Sequence, residues 1–263
     1  MIKGNYHTHT TGSDGDVDPE VMIKKAIREG FKEYAITDHY FFPKGFRNWG
    51  NDFCSEKHFR KLKVLKKKYS SKIKILIGSE FDWLKDYKQW ILNEAKRDLD
   101  IKIISVHFLK LGDEYYPVDH SDELFDKMIS KAKNIKNLVR QYYKELRNAI
   151  KTNVFDVVGH MDLIKIWNKN NKYFSDNEKW YVKEVIRTLK EIKKSGMSLD
   201  INTAGWRNPC NEIYPSSWII AEAERLNIPC LISTDAHRLK EVGYKVNEAK
   251  KLIKSKNRCT TTP

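Results

Sequence analysis

Short segments rich in β-branched residues alternate along the chain with longer amphipathic segments. This alternation is typical of strands and helices in βα units around a parallel sheet. It predicts seven strands, at residues 3–7, 33–37, 73–78, 101–106, 154–158, 197–201 and 230–233. It also predicts seven helices, at about 19–29, 55–69, 86–97, 122–150, 177–195, 215–226 and 241–254.

Seven strands with seven helices predict an α/β fold. They fit either a closed (β/α)7 barrel, one unit short of the usual eight, or an open doubly wound sheet, and the pattern alone does not choose between them. The 263 residues hold enough apolar material for one sizeable core, so we expect a single domain over residues 1–256. The polar residues 257–263 are expected to form a flexible tail.

The cysteines and the apolar segments bear on the compartment of the protein. Cys54, Cys210, Cys230 and Cys259 are dispersed without a C-x-x-C pair, which argues against a thiolate metal site and against a disulfide framework. No apolar run approaches the roughly 20 residues that a membrane span needs, and the N-terminus lacks the apolar segment of a secretory signal. We therefore expect a cytoplasmic protein with reduced thiols and no membrane partner.

The chain carries a formal net charge of +14, which favours anionic partners such as phosphates or nucleic acid. Much of this excess lies in lysine runs such as residues 61–69, which are typical of the solvated faces of helices. The chain also has no appended domain and no contiguous basic and aromatic stripe. Nucleic acid is therefore the less favoured partner.

Most of the histidines follow predicted strands. Six of the eight lie at or just beyond the carboxyl ends of strands: His7, His9, His39, His107, His160 and His237. Barrels and α/β sheets place their active sites at that edge. His58, in a predicted helix, and His120, in a loop, lack such a placement and are interpreted as surface residues.

His7 and His9 form an H-x-H pair, and strand residues two apart point the same way, so both can bind one cation. By itself, however, such a pair is as often two solvent-facing or core-edge histidines as a metal site. Further ligand-type residues, among them Glu80 and Asp235, recur at later strand ends. So many imidazoles and carboxylates around one mouth would repel one another and lack partners without cations. A donor set without thiolates suits Zn, Mn, Fe or Co, so the sequence predicts a metal site.

The motifs at the strand ends form an ordered set. They are His7-Thr8-His9-Thr10, Ser13-Asp14-Gly15, Thr37-Asp38-His39, Glu80, Ser105-Val106-His107-Phe108, Gly159-His160 and Thr234-Asp235-Ala236-His237. This set resembles the motifs of the polymerase-and-histidinol-phosphatase (PHP) phosphoesterases. The resemblance implies a distorted (β/α)7 TIM-like barrel that holds three divalent metal ions, Zn, Mn or Fe.

The resemblance also implies how the ligands divide among the ions. The first ion would be held by His7, His9, Glu80 and Asp235. Glu80 would bridge to a second ion held by His107 and His160. Asp14, His39 and His237 would hold the third ion.

Within this family the chain is most similar to the histidinol-phosphate phosphatases. Residues 200–207, followed by Tyr214-Pro215-Ser216, resemble the strand and loop with which that subgroup binds phosphate, which implies that Arg207 anchors the substrate. A planar guanidinium can hold two phosphate oxygens at once, and this arginine follows a strand end. The alternative is a surface arginine paired with an acid such as Glu212. Arg238 is a second, weaker candidate.

We therefore expect a phosphatase that hydrolyses L-histidinol phosphate to L-histidinol and phosphate, a step of histidine biosynthesis. A metal-bound hydroxide would attack phosphorus while the ions and Arg207 neutralise the phosphoryl oxygens. A nuclease or phosphodiesterase acting on nucleic acid, which the positive charge favours, and a phosphotyrosine-protein phosphatase are alternatives in the same family. A non-catalytic metal- or phosphate-binding barrel is an alternative of another class.

Several aromatic residues lie just after strand ends or in the loops beyond them. They are predicted either to wall a pocket for a small imidazole-bearing substrate or to cap the core. These residues are Tyr40, Phe41, Phe42, Trp49, Trp83, Trp167 and Trp206.

Overall fold

Nine strands occur in residues 4–46 and 54–253, the part of the chain that the computed structural model describes. They are β1 (Gly4–Asn5), β2 (Glu33–Ile36), β3 (Lys74–Asp82), β4 (Ile101–Ser105), β5 (Phe108–Leu111), β6 (Glu114–Pro117), β7 (Val157–Val158), β8 (Ser198–Asn202) and β9 (Cys230–Ser233). Seven form one parallel sheet in the order β1-β2-β3-β4-β7-β8-β9, which is their order along the chain. Strands β5 and β6 form a separate antiparallel hairpin.

The two edges of the parallel sheet meet just beyond the ends of β1 and β9. The backbone N–H of Asp235 donates to the carbonyl of His7 at 2.8 Å, and the N–H of His9 donates to the carbonyl of Ala236 at 2.9 Å. The sheet is therefore a nearly closed barrel. The predicted (β/α)7 barrel of one domain is confirmed, and the open doubly wound sheet is not formed.

The α-helices of the described residues cover the outside of the barrel. They are α1 (Pro19–Arg28), α2 (Glu56–Lys68), α3 (Lys88–Glu94), α4 (Asp122–Lys131), α5 (Ile135–Ile150), α6 (Lys179–Ser195), α7 (Ser217–Arg225) and α8 (Val246–Leu252). Short 3₁₀ turns supplement them at Lys85–Tyr87, Leu163–Lys165, Lys169–Asn171, Thr203–Trp206 and Leu239–Glu241. This element order follows the strand and helix alternation that the sequence predicts.

One predicted helix is wrong in extent, because residues 122–150 form two helices rather than one. Lys133 has a positive φ of 73°, and the Asn134 side chain accepts a hydrogen bond from the backbone N–H of Asn137, which caps the start of α5. The last helix, predicted at 241–254, starts only at Val246, after a 3₁₀ turn. Residue 254 lies outside the described residues.

The hairpin of β5 and β6 was not predicted. It occupies the connection between β4 and α4, and Gly112, with a φ of 69°, lies in its turn. The backbone N–H of Val118, just after β6, donates to the carbonyl of His107 at 2.8 Å. This bond fixes the end of the hairpin against the carboxyl end of β4.

The barrel interior changes character along the strands. Leu76, Ile103 and Val157 belong to one buried apolar cluster. Residues two apart on a strand share a face, so Glu80 and Asp82 on β3 face the same way as Leu76. They are nevertheless buried, at 1% and 8% exposure. An apolar plug therefore lies below a polar layer at the carboxyl ends of the strands.

The strand bounds differ from the prediction where polar residues are buried. Strand β3 continues to Asp82, four residues past its predicted end, because its last residues pair with β4 despite their charge. Strands β1 and β7 are shorter than predicted. Residue 3, the predicted start of the first strand, lies outside the described residues.

Two further expectations concern membrane spans and thiols. No helix in residues 4–46 and 54–253 combines the length and the apolar composition needed to cross a membrane. Cys54, Cys210 and Cys230 are buried, and no disulfide bond joins any two of these three residues. Cys259 and the tail 257–263 lie outside the described residues.

A buried ion pair joins α5 to α6. Arg147 Nη2 lies 2.8 Å from Glu184 Oε2, and both side chains are under 10% exposed. Glu184→Ala would leave a buried guanidinium without its counter-charge, so we expect the free energy of unfolding to fall by about 3–5 kcal/mol. Urea denaturation followed by tryptophan fluorescence measures this loss.

The control for this prediction is Arg187→Ala. Arg187 approaches the same carboxylate at 3.6 Å but is 57% exposed. Its removal should change the free energy of unfolding by less than about 1 kcal/mol. Equal losses in the two variants would contradict the role assigned to the buried pair.

Candidate metal centre and substrate cleft

The predicted ligand residues lie together at the carboxyl end of the barrel. His7 and His9 follow β1, His39 follows β2, Glu80 lies in β3, His107 follows β4, His160 follows β7, Asp235 and His237 follow β9, and Asp14 lies in the loop after His9. The elements that carry them are six of the seven strands of one barrel, all except β8. Residues far apart in the chain therefore meet at one mouth.

The donor atoms of these residues form overlapping groups, within each of which all atoms lie within 4.8 Å of one another. The groups include His7 with His9 and Glu80, Glu80 with His107 and His160, and His9 with Asp14, His39 and His237. A further group joins His7, His160 and Asp235. Glu80 belongs to two groups, as a bridging carboxylate would.

Glu80 lies at the centre of the cluster. Its Oε2 is 3.2 Å from His7 Nε2, and its Oε1 is 3.0 Å from His160 Nε2. Burial by itself would raise the pKa of Glu80, but the imidazoles of His7, His107 and His39 lower it well below its usual value. Burial would likewise raise the pKa of Asp235, but His7 and His9 outweigh it and lower this pKa well below its usual value. Both carboxylates are therefore ionised in a buried site.

The imidazoles of this cluster differ in charge. Burial disfavours protonation of His7, but Glu80 and Asp235 outweigh it and raise the pKa of His7 well above its usual value. Burial, with His237 and His39 nearby, lowers the pKa of His9 to about 4. An ion bound among these groups would displace the proton from His7 and take over its charge.

Two buried nitrogen atoms test whether metal ions fit this site. His7 donates a hydrogen bond from Nδ1 to Asp200 Oδ2 at 3.0 Å, which orients the ring so that Nε2 faces Glu80 and Asp235. The Nε2 atoms of His7 and His9 are buried and have no hydrogen-bond partner among the described residues. Buried nitrogen atoms without partners, next to ionised carboxylates, are what a divalent ion requires. The residues therefore fit the metals that the sequence predicts.

Two carboxylates that sequence reasoning did not single out orient the ligand histidines. Asp200, in β8, holds His7, and Asp82, in β3, accepts a hydrogen bond from His107 Nδ1 at 2.7 Å. Carboxylates that fix the tautomer of a ligand histidine in this way are common in metal sites. Their sequence signal was alternation: Asp82 lies two residues after Glu80, and Asp200 two residues before Asn202.

Asp38 organises the loop after β1, and it corrects one prediction. Its carboxylate accepts hydrogen bonds from the Thr10 backbone N–H at 2.6 Å, from Ser13 Oγ at 2.8 Å and from His58 Nε2 at 2.9 Å. His58 is only 9% exposed, so its interpretation as a surface residue is wrong. It lies on the buried face of α2, four residues before Leu62. His120 is exposed, as predicted.

Arg207 lies beside the ligand cluster. Its Nη2 donates to the backbone carbonyls of Thr234 at 2.9 Å and Asp235 at 3.0 Å, while its Nη1 is buried with no hydrogen-bond partner among the described residues. Glu212 does not pair with it, since that carboxylate contacts Lys165 at 2.9 Å instead, but another acid is near, with Glu241 Oε2 3.7 Å from Nη2. The backbone carbonyls thus hold the guanidinium in place through Nη2, while Nη1 has no hydrogen-bond partner in the described part of the chain.

Arg238, the weaker arginine candidate, is placed differently. It is 61% exposed, and its Nε lies 3.2 Å from Asp16 Oδ2. It does not line the cavity that contains Arg207.

A cavity of about 230 Å³ lies over the cluster. Its lining comprises Asp14, His39, Glu80, His107, Asp119, His160, Leu163, Ile166, Ala204, Arg207, Asn208, Tyr214, Asp235 and His237. A second cavity of about 390 Å³ adjoins it and is lined in part by Phe42, Phe108 and Pro117.

The aromatic residues that follow the strands mostly cap the core. Tyr40 and Trp83 are 3% exposed and pack in the main apolar cluster, against which Phe41, Trp167 and Trp206 also pack. Phe42 lines the second cavity. Trp49 lies outside the described residues.

Comparison with known proteins identifies relatives across the full barrel. The PHP domain family model matches residues 5–204. The histidinol-phosphatase of Bacillus subtilis (strain 168) is 28% identical over 264 residues, which cover 93% of this chain and 97% of that protein.

Two solved structures are also similar. A structure from Listeria monocytogenes, proposed to be a histidinol phosphatase, superposes with a TM-score of 0.85 at 27% identity and covers 94% of this chain and 99% of its own. The histidinol phosphate phosphatase of Lactococcus lactis, complexed with zinc, L-histidinol and phosphate, superposes with a TM-score of 0.74 at 23% identity and covers 95% of this chain and 92% of its own.

With an ion bound, the carboxylate of Asp200 would hold His7 in the tautomer that has its proton on Nδ1 and leaves Nε2 for the ion. Asp200→Asn is therefore expected to weaken zinc or manganese binding by about 10–100-fold, as measured by competition with a chelator. Asp98→Asn, an exposed change before the amino end of β4, is the matched control and should leave affinity unchanged. Unchanged affinity in Asp200→Asn would contradict this orienting role.

Proposed function

This chain belongs to the PHP domain family, and on that premise we propose that it is a phosphoric monoester hydrolase that cleaves L-histidinol phosphate into L-histidinol and phosphate. The observation that carries the proposal is the ligand cluster, which shares one cavity with the guanidinium of Arg207. Similarity to the Bacillus subtilis histidinol-phosphatase over nearly the whole of both chains supports the substrate. Location in the cytoplasm stays a prediction from the sequence.

The proposed metal assignment is the one that the family resemblance implies, and the groups of donor atoms support it in part. His7, His9, Glu80 and Asp235 would hold one ion, Glu80 with His107 and His160 a second, and Asp14, His39 and His237 a third. Zinc, manganese and iron all suit this mixed set of imidazoles and carboxylates. Bound there, divalent ions would supply Lewis acidity towards the phosphoryl oxygens and a water of lowered pKa.

Arg207 would bind and orient the phosphate. Its Nη2 is held by two backbone carbonyls, so the plane of the guanidinium is set before substrate arrives, and Nη1 remains for a phosphoryl oxygen. A pre-oriented donor stabilises the charge of the transferring group without reorganisation during the reaction. Arg238 would first have to leave Asp16, so it remains the weaker candidate.

The reaction is proposed to be direct hydrolysis. Among the described residues that line the cavity over the cluster there is no serine, threonine or cysteine. A phosphorylated intermediate on such a nucleophile would need one of these side chains with a base beside it. Leu163, Ile166 and Ala204 form an apolar part of the lining, which lowers the local dielectric constant and strengthens the interaction of Arg207 with an anion.

The extent of the similarity to a histidinol-phosphatase supports a small phosphorylated metabolite over the family alternatives. The matched region covers 97% of the Bacillus subtilis enzyme. The surplus of positive charge, the main argument for a nuclease, belongs in part to lysines of α2 that are exposed on the outside of the barrel.

Removal of metal tests the first part of the proposal. Treatment with a chelator should abolish hydrolysis of L-histidinol phosphate, and adding Zn or Mn back should restore it, because the cluster cannot bind phosphate without its cations. Release of inorganic phosphate measures this. Full activity in protein shown by elemental analysis to be stripped of metal would refute the metal-dependent reaction.

Replacement of the arginine tests the second part. Arg207→Ala should raise KM for L-histidinol phosphate by about 10–100-fold, because a charge-assisted hydrogen bond to phosphate is lost, while metal content stays intact. Arg207→Lys should give a smaller rise. Arg238→Ala is the comparison variant. A larger effect of Arg238→Ala than of Arg207→Ala would move the phosphate site to Arg238.

A further inference from the structure

Asp119 lies where the two cavities meet. It lines both the cavity over the ligand cluster and the larger one beside it. It follows the hairpin directly, and the hydrogen bond between Val118 and the carbonyl of His107 holds this segment beside the ligand histidines. A group bound near the metals and extending into the second cavity would therefore pass Asp119.

Asp119 differs from the other carboxylates that face these cavities. Asp14, Glu80 and Asp235 belong to the proposed ligand set, and Asp82 accepts the hydrogen bond from His107. Asp119 is exposed, and within residues 4–46 and 54–253 it makes no hydrogen bond and no ion pair. It is thus the carboxylate of the described lining that is neither a proposed ligand nor hydrogen-bonded, and it acts on its neighbour His107 only through its charge.

We propose that Asp119 binds the ammonium group of the substrate and selects for phosphate esters that carry an amine. The inference rests on the proposed function, because L-histidinol phosphate bears a primary amine one carbon away from the ester carbon. That amine is protonated at neutral pH. The ions and Arg207 that bind the phosphate repel this second cation, so a substrate of this kind needs a negative charge close to the phosphate site.

The second cavity gives the remainder of the substrate a place. Beyond Asp119 its lining includes Phe42, Phe108 and Pro117, and the rings of Phe42 and Phe108 meet edge to face at 88° with centroids 5.7 Å apart. Flat apolar surfaces of this kind pack against a planar imidazole. The order along the cleft is then phosphate at Arg207, ammonium at Asp119 and imidazole at the aromatic wall.

The test compares two esters that differ only in the amine. In metal-loaded enzyme, Asp119→Asn should lower kcat/KM for L-histidinol phosphate by about 10–100-fold, mainly through KM. For 3-(imidazol-4-yl)propyl phosphate, the same ester without the amine, the change should be under about 3-fold, because no ion pair is lost. L-histidinol should also become a weaker product inhibitor of the variant.

Asp113→Asn, at the exposed turn of the same hairpin, is the matched control and should leave both esters unaffected. Equal losses on the two esters would overturn the inference, since a proton donor to the leaving alcohol would act on both and mainly through kcat. Unchanged kinetics in Asp119→Asn would overturn it as well.

The wild-type enzyme separates failure of this inference from failure of the proposed function. If it hydrolyses both esters with equal efficiency, the proposed function stands and the role of Asp119 falls. If metal-loaded wild-type enzyme hydrolyses neither ester, both fall together.

Discussion

The concentration of ionised carboxylates and imidazoles inside one end of the barrel is the constraint on which the rest of this structure depends. Glu80 and Asp235 are ionised although they are withdrawn from water, and such groups are costly unless every charge is compensated. The protein supplies part of that compensation through histidines. Carboxylates that accept hydrogen bonds from the Nδ1 atoms, such as Asp200 for His7 and Asp82 for His107, fix the orientation of the imidazole rings.

The sequence could predict the parallel α/β fold and the membership of the cluster for one physical reason, whereas the choice of a closed barrel over an open sheet came from the family resemblance. In a parallel βα fold the carboxyl end of every strand lies at the same rim, so a residue at a strand end is located without knowledge of packing. Strand ends such as that before His107 were recognisable, and the positions around the rim followed from their order. Glu80 was found by the same reasoning, although β3 continues past it.

What could not be predicted depends on tertiary contacts. The helix break at Asn134 depends on a cap that is one residue in a long amphipathic pattern. The hairpin, by contrast, has a turn signal of its own, Gly112-Asp113 between two strand-forming segments, and could have been predicted. His58 looked like one polar residue of a lysine-rich helix. Its burial could not be predicted because it depends on a tertiary contact, the hydrogen bond between His58 Nε2 and the carboxylate of Asp38.

The closure of the barrel has a consequence for how the protein is made. His7 and His9 emerge from the ribosome well before Asp235 and His237, and both pairs belong to the same cluster. The first and last strands meet only when the β9 segment has left the exit tunnel. During translation the growing chain therefore holds His7 and His9 beside an incomplete barrel, and the full set of proposed metal ligands comes together only after β9 and the residues that follow it are free.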